Sequence, residues 1–155
     1  MVTQRLIGLP IECAKKGHGS FLTFDLGQRL KSEEERREWH VWIYCCYWEL
    51  FVGDSSLSHC EDEVISIEKA VKRLEGRSIE AIAVEESGNC IFRFSGGEAL
   101  EIYPWEEDTE SWMIYTPEGL VLSFNSTGTW DFVRGDCSVG EVLKQSIPQV
   151  RKKRS

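Results

Sequence analysis

Cys90-Ile-Phe-Arg-Phe-Ser-Gly-Gly-Glu-Ala-Leu-Glu-Ile-Tyr-Pro104, followed by Trp105 and an acidic run that ends at Trp112, is the stretch on which the fold turns. Apolar and polar residues alternate on both sides of Gly96-Gly97, as they do along strands that keep one face in a core. Glycine tolerates positive φ at both central positions of a primed turn, so the spacing predicts a hairpin of Cys90–Phe94 with Ala99–Tyr103. Downstream, Trp112–Tyr115 and Leu120–Phe124 are expected to pair about Pro117-Glu118-Gly119, with Thr129–Val133 as a last strand. From Ile79 onward the spacing is that of an antiparallel meander.

Upstream, Arg77–Glu85 reads as a buried strand. Ser66–Leu74 reads as a helix, because Ile67, Ala70, Val71 and Leu74 fall at helical spacing while Glu68, Lys69, Lys72 and Arg73 cover the other side. Ser66 is expected to cap it, Ile65 to staple against Ala70, and Gly76 to stop it; a leading turn over 61–64 is left open. Trp39–Val52 is β-prone throughout, so it predicts either one long strand bulged near Cys45-Cys46 or two strands in tight register, placed centrally. Before it lie a short strand at Phe21–Phe24, a loop over Lys15–Gly19 and a solvated charged connection, Lys31–Glu38. The sum is an α+β chain: a single domain over residues 1–135, mostly an antiparallel β-sheet meander with one main amphipathic helix packed on it. Residues 136–155 form a weakly ordered segment with a basic tail.

Size and composition agree with one core, since 155 residues with 41% hydrophobic side chains bury enough surface to fold alone. The formal charge is −8. Taking away the four cations at Arg151, Lys152, Lys153 and Arg154 leaves −12 on residues 1–150. Such a body repels phosphate backbones and anionic lipid, which argues against nucleic acid or membrane and for a basic protein or a cation as partner. The same charge also serves plain solubility. Gly8 and Pro10 interrupt the start before a signal-peptide core forms, and no run approaches a membrane span, so a cytoplasmic protein is expected. The six cysteines, at 13, 45, 46, 60, 90 and 137, are expected to be reduced thiols.

No pattern announces catalysis. His59-Cys60 with Cys45-Cys46, and His18 with Cys13, lack paired-ligand spacing for a metal. Cys60 beside His59 in an extended chain points to the opposite face, which separates thiol from imidazole. Gly17-His18-Gly19-Ser20 matches neither a nucleophile elbow nor a phosphate loop. Neither catalytic residue, metal nor cofactor is assigned. Of six tryptophans, most belong to the core, but Trp105 follows Pro104 and precedes Glu106, Glu107, Asp108 and, further on, Glu110. An aromatic side chain ringed by carboxylates is the composition of a partner-binding patch for a basic protein, and these five residues are the candidate site. The alternative is a solvated loop.

Trp48-Glu-Leu50, Leu74-Glu-Gly76, Phe94-Ser-Gly-Gly-Glu-Ala-Leu-Glu-Ile-Tyr-Pro104 and Glu110-Ser-Trp112 together resemble a group of small bacterial proteins, several of which are immunity proteins of polymorphic or contact-dependent toxin systems. The resemblance spans roughly residues 39–115 and rests on structural positions, so it carries no catalytic residue with it. It implies a non-enzymatic acidic binding protein that neutralises a cognate basic toxin. The rival expectations are a stand-alone structural or regulatory domain with no toxin partner and, third, a small hydrolase-like enzyme.

Overall fold

The hairpin forms with a different turn. In β7 (Cys90–Phe94) and β8 (Glu98–Pro104), Arg93 lies opposite Ala99, which leaves Ser95, Gly96 and Gly97 as the loop. The Gly97 amide donates to the Phe94 carbonyl at 3.1 Å, and only Gly97, at φ 87°, is left-handed. This is a three-residue loop whose last residue takes the left-handed conformation, not a primed turn with two positive φ angles. Gly96 is needed for space instead: a Cβ there would sit 2.2 Å from Arg77 Nε and 2.5 Å from Glu98 Oε1.

A computed structural model describes residues 2–17, 19, 21–29, 37–44, 46–85, 88–104, 110–125 and 130–134. Before the hairpin the order is α1 (Val2–Leu6), β1 (Ile11–Lys16), β2 (Leu22–Arg29), β3 (Arg37–Ile43), β4 (Cys46–Val52), β5 (Ser55–His59), α2 (Val64–Lys72) and β6 (Ile79–Val84). After it come β9 (Glu110–Tyr115), β10 (Leu120–Asn125) and β11 (Trp130–Arg134). All named strand pairs are antiparallel, in two sheets ordered β1-β2-β3-β9-β10-β11 and β5-β4-β8-β7-β6. The expected α+β class, mostly antiparallel sheet with one main helix packed on it, is the observed one.

The expected single meander from Ile79 is divided: β6-β7-β8 belongs to the second sheet and β9-β10-β11 to the first. The chain changes sheet twice, once between β3 and β4 and once between β8 and β9. Both crossings lie at one corner, since Ile43 pairs with Trp112 and Cys46 pairs with Pro104. Trp39–Val52 is therefore two strands, as one expectation had it, but they join different sheets and do not pair with each other. The bulge of the other expectation was placed near Cys45-Cys46, and Cys45 lies outside the described residues.

One core lies between the sheets. Phe92 of β7 meets Trp112 of β9 edge-on at 4.9 Å, and Phe24 of β2 meets Phe94 of β7 at 6.3 Å. Trp39, Trp48 and Trp112 are buried there and Trp42 is half-buried. α2 packs on β1 and β5 and buries Ile67, Ala70 and Val71; it ends at Lys72, two residues short of the expected Leu74, which is buried just beyond it.

Several local expectations give way. α2 starts at Val64, so the optional leading turn is partly real; its N-cap is Glu63, without a side-chain capping bond, and Ser66 lies inside the first turn. Ile65 is 76% exposed and staples nothing. Gly76, at φ 86°, does turn the chain, and its amide donates to the Ile11 carbonyl at 2.8 Å. β6 is an edge strand, mostly exposed rather than buried; a register shift between Ile79 and Ala81 breaks the alternation. Residues 2–6 form a helical turn, β1 runs through Lys16 into the expected loop, and β2 extends well beyond Phe24. Of the charged connection, residues 31–36 lie outside the described residues, and Arg37 and Glu38 already belong to β3. The segment 136–155 also lies outside them. The four cysteines described, Cys13, Cys46, Cys60 and Cys90, are free thiols. No helix among the described residues is long and apolar enough to cross a membrane.

Candidate functional site

Trp105, Glu106, Glu107 and Asp108 lie outside the described residues; Glu110 opens β9, with its side chain likewise outside. Their chain neighbours are well placed. Tyr103 and Pro104 end β8, and the period of two puts Glu101 and Tyr103 on the sheet face turned away from the core, because Leu100 and Ile102 are buried. On β4 the same alternation buries Trp48 and Leu50 and turns Tyr47 and Glu49 outward.

Register then builds a two-by-two block. Tyr47 faces Tyr103 and Glu49 faces Glu101, while Glu49 also faces His59 of β5. The Tyr47 and Tyr103 rings lie 6.3 Å apart at 46°, and His59 stacks on the other side of Tyr47 at 6.3 Å and 14°. Like charges directly opposite each other destabilise an antiparallel pair, so Glu49 against Glu101 works against folding. Among the described residues no lysine or arginine forms an ion pair with either carboxylate.

The electrostatics of the block are those of concentrated negative charge. Tyr103 donates its hydroxyl to Glu101, and that bond, then partial burial and the fields of Glu101, Glu49 and Glu85, push its phenol up to about 12. The Tyr47 phenol is also raised, by partial desolvation first and then by Glu49, Cys60, Glu61 and Asp62. The Coulomb part of these shifts, from Glu49, Glu61, Asp62, Glu85 and Glu101, is a field that also attracts a cation.

Beside it, Ser58, His59 and Asp62 carry the residue types of a hydrolytic triad without its wiring. Ser58 Oγ donates to Asp62 Oδ2 at 2.9 Å, so the hydroxyl goes to the carboxylate and not to the imidazole. The Glu61 amide donates to His59 Nδ1 at 3.2 Å, which makes Nδ1 the acceptor and directs a proton on Nε2 toward Asp62 Oδ1, 3.3 Å away. Cys60, whose amide is bound to the Trp48 carbonyl, has its thiol raised by burial, the opposite of an activated cysteine. No group of three or more potential metal ligands exists among the described residues.

The expected patch and the observed block adjoin in sequence through Pro104, but the reading from sequence missed Tyr47, Glu49, Glu101 and Tyr103 and weighed His59 only as a metal ligand or catalytic base, not as part of an aromatic face. Their signal was present as Tyr-x-Glu and Glu-x-Tyr at strand period; what joins them is the β4·β8 pairing, across some fifty residues, which no local pattern states. Compared with family models, curated proteins and solved structures, the chain finds no match in any of the three.

Proposed function

We propose that the chain is a non-enzymatic acidic binding protein of the immunity type, which neutralises a cognate basic toxin by direct contact. The observation that carries the reading is the Glu49–Glu101 pair, which no lysine or arginine among the described residues neutralises, set beside the Tyr47–Tyr103 pair on the outward sheet face. Two aromatic rings offer contact area and cation–π attraction to lysine or arginine, and two carboxylates accept their hydrogen bonds. The arrangement costs stability in the free protein, and a cationic partner would return it. Trp105, Glu106, Glu107, Asp108 and Glu110 follow directly from β8 in the chain and extend the same chemistry. The net charge of −8 supplies long-range steering toward a basic surface.

The test is genetic and biochemical together. The basic protein encoded next to this chain is expressed with and without it: the account expects growth arrest relieved by the chain and a co-purifying complex. Relief without a complex, or a complex with undiminished toxicity, contradicts neutralisation by direct contact.

A further inference from the structure

α2 sorts its charges. Glu68, Lys72 and Glu75 line a concavity toward β1, together with Ala14, Lys15 and Lys16, and there the signs are mixed. On the other side, Ser66, Lys69, Ala70 and Arg73 line a second concavity of about 410 Å³, closed by Leu57 of β5. Among the described residues its charged lining is cationic, Lys69 and Arg73.

Glu98 explains how Arg73 is held there. The Glu98 side chain is wholly excluded from solvent, and its Oε2 accepts from Arg73 Nε at 3.0 Å and from Arg77 Nε at 3.3 Å. Each guanidinium uses its side nitrogen for this bond, which leaves its terminal nitrogen pair uncommitted to Glu98. One carboxylate between two guanidinium groups leaves a net positive charge, and Lys69 adds another. In a body that is otherwise strongly acidic, this is a cationic pocket with an anchored arginine, an exposed lysine, a hydroxyl and an apolar wall. The Ser66 hydroxyl caps no helix end and is free to serve it.

We propose that this concavity binds a phosphate-type oxyanion, free or as a monoester, with the Arg73 terminal nitrogens and Lys69 Nζ as charged donors and Ser66 Oγ as the third. Arginine anchored through its side nitrogen presents a preorganised two-nitrogen fork to such an oxyanion. Arg77 holds Glu98 in place and keeps the local charge positive. The site lies on α2, apart from the Tyr47–Tyr103 face, and does not depend on that face having a partner.

The experiment is a titration of the full chain with inorganic phosphate, followed by amide chemical shifts at constant ionic strength, with glycerol phosphate as a second arm. Saturable shifts at Ser66, Lys69 and Arg73 are expected, with a tighter monoester if the Leu57–Ala70 wall holds an organic group and equal affinities if it does not. Lys69→Gln, which leaves both partners of Glu98 in place and so keeps the fold, is expected to weaken binding about tenfold. Arg73→Gln should abolish it. Shifts that stay linear with concentration, shifts reproduced by chloride at the same ionic strength, or an unchanged Lys69→Gln affinity would overturn the proposal.

Discussion

Tyr103 donates its phenolic hydrogen to Glu101, its neighbour two residues back on the same outward row of β8, and faces Tyr47 across the β4·β8 pairing. The bond stabilises the neutral phenol against the phenolate. The phenol value in the folded protein, about 12, lies above the ordinary value near 10. The stability linked to this group is thus complete below pH ~10 and is lost as pH rises through about 12. Tyrosine titration followed by ring-carbon shifts is expected to place Tyr103 after Tyr47, and Glu101→Gln should bring it down toward the ordinary value.

Glu98 behaves in the opposite sense. Burial raises its carboxyl, but the bond from Arg73, its own backbone, and Arg77 outweigh burial and hold it below the usual carboxylate range. Its contribution is present above pH ~4.3 and disappears as pH falls through the depressed folded value. Denaturant titrations from pH 6 to 2 should show that loss in the wild type and a flatter curve in Glu98→Gln. Replacing Arg73 and Arg77 together by Gln strands a buried carboxylate, and a loss on the order of 3 kcal/mol at neutral pH is expected.

Gly96 and Gly97 separate by mechanism. Gly97→Ala forces a left-handed backbone onto a residue with a Cβ, costing about 1 kcal/mol in a urea melt. Gly96→Ala meets Arg77 and Glu98 instead, so its loss should shrink when Arg77 is also shortened to Ala. A Gly96→Ala penalty independent of Arg77 would show that space beside the ion pair is not what requires glycine.

The thiols offer a check on the core. Burial pushes Cys90 up to about 12, and Cys13 and Cys60 are raised less. In native protein at pH 8, an aromatic disulfide reagent should modify the half-buried Cys13 and Cys60 well before Cys90, whose reaction waits for unfolding. Phe92→Ala, which opens the core beside Trp112, should cost about 3–5 kcal/mol and speed Cys90 modification.

These residues also mark where local sequence reading works. The two hairpins were legible because Gly97 and Gly119 each close a three-residue loop, a relation contained within about ten residues. α2 was legible from its apolar spacing, but its start was not, because Glu63 caps without a side-chain bond. The sheet change near Tyr44 carries no glycine or proline to announce it. Ile79–Val84 is apolar enough for a central strand, and only its single neighbour makes it an edge. The acidic aromatic block was hidden for the same reason: its halves come from strands joined by pairing, not by sequence. Of the five residues singled out from the sequence, Trp105, Glu106, Glu107 and Asp108 lie outside the described residues and Glu110 is described in its backbone alone; Pro104 joins them in sequence to the block on β4, β5 and β8.

The claim that this face meets a basic partner is tested most directly by calorimetric titration of the purified chain with the basic protein encoded beside it. Wild type is compared with Tyr47→Ala/Tyr103→Ala at low and at physiological salt. The account predicts an affinity that falls with salt, and a loss of at least tenfold in the double variant with its fold intact. Binding of equal strength by wild type and variant, with no dependence on salt, would contradict it.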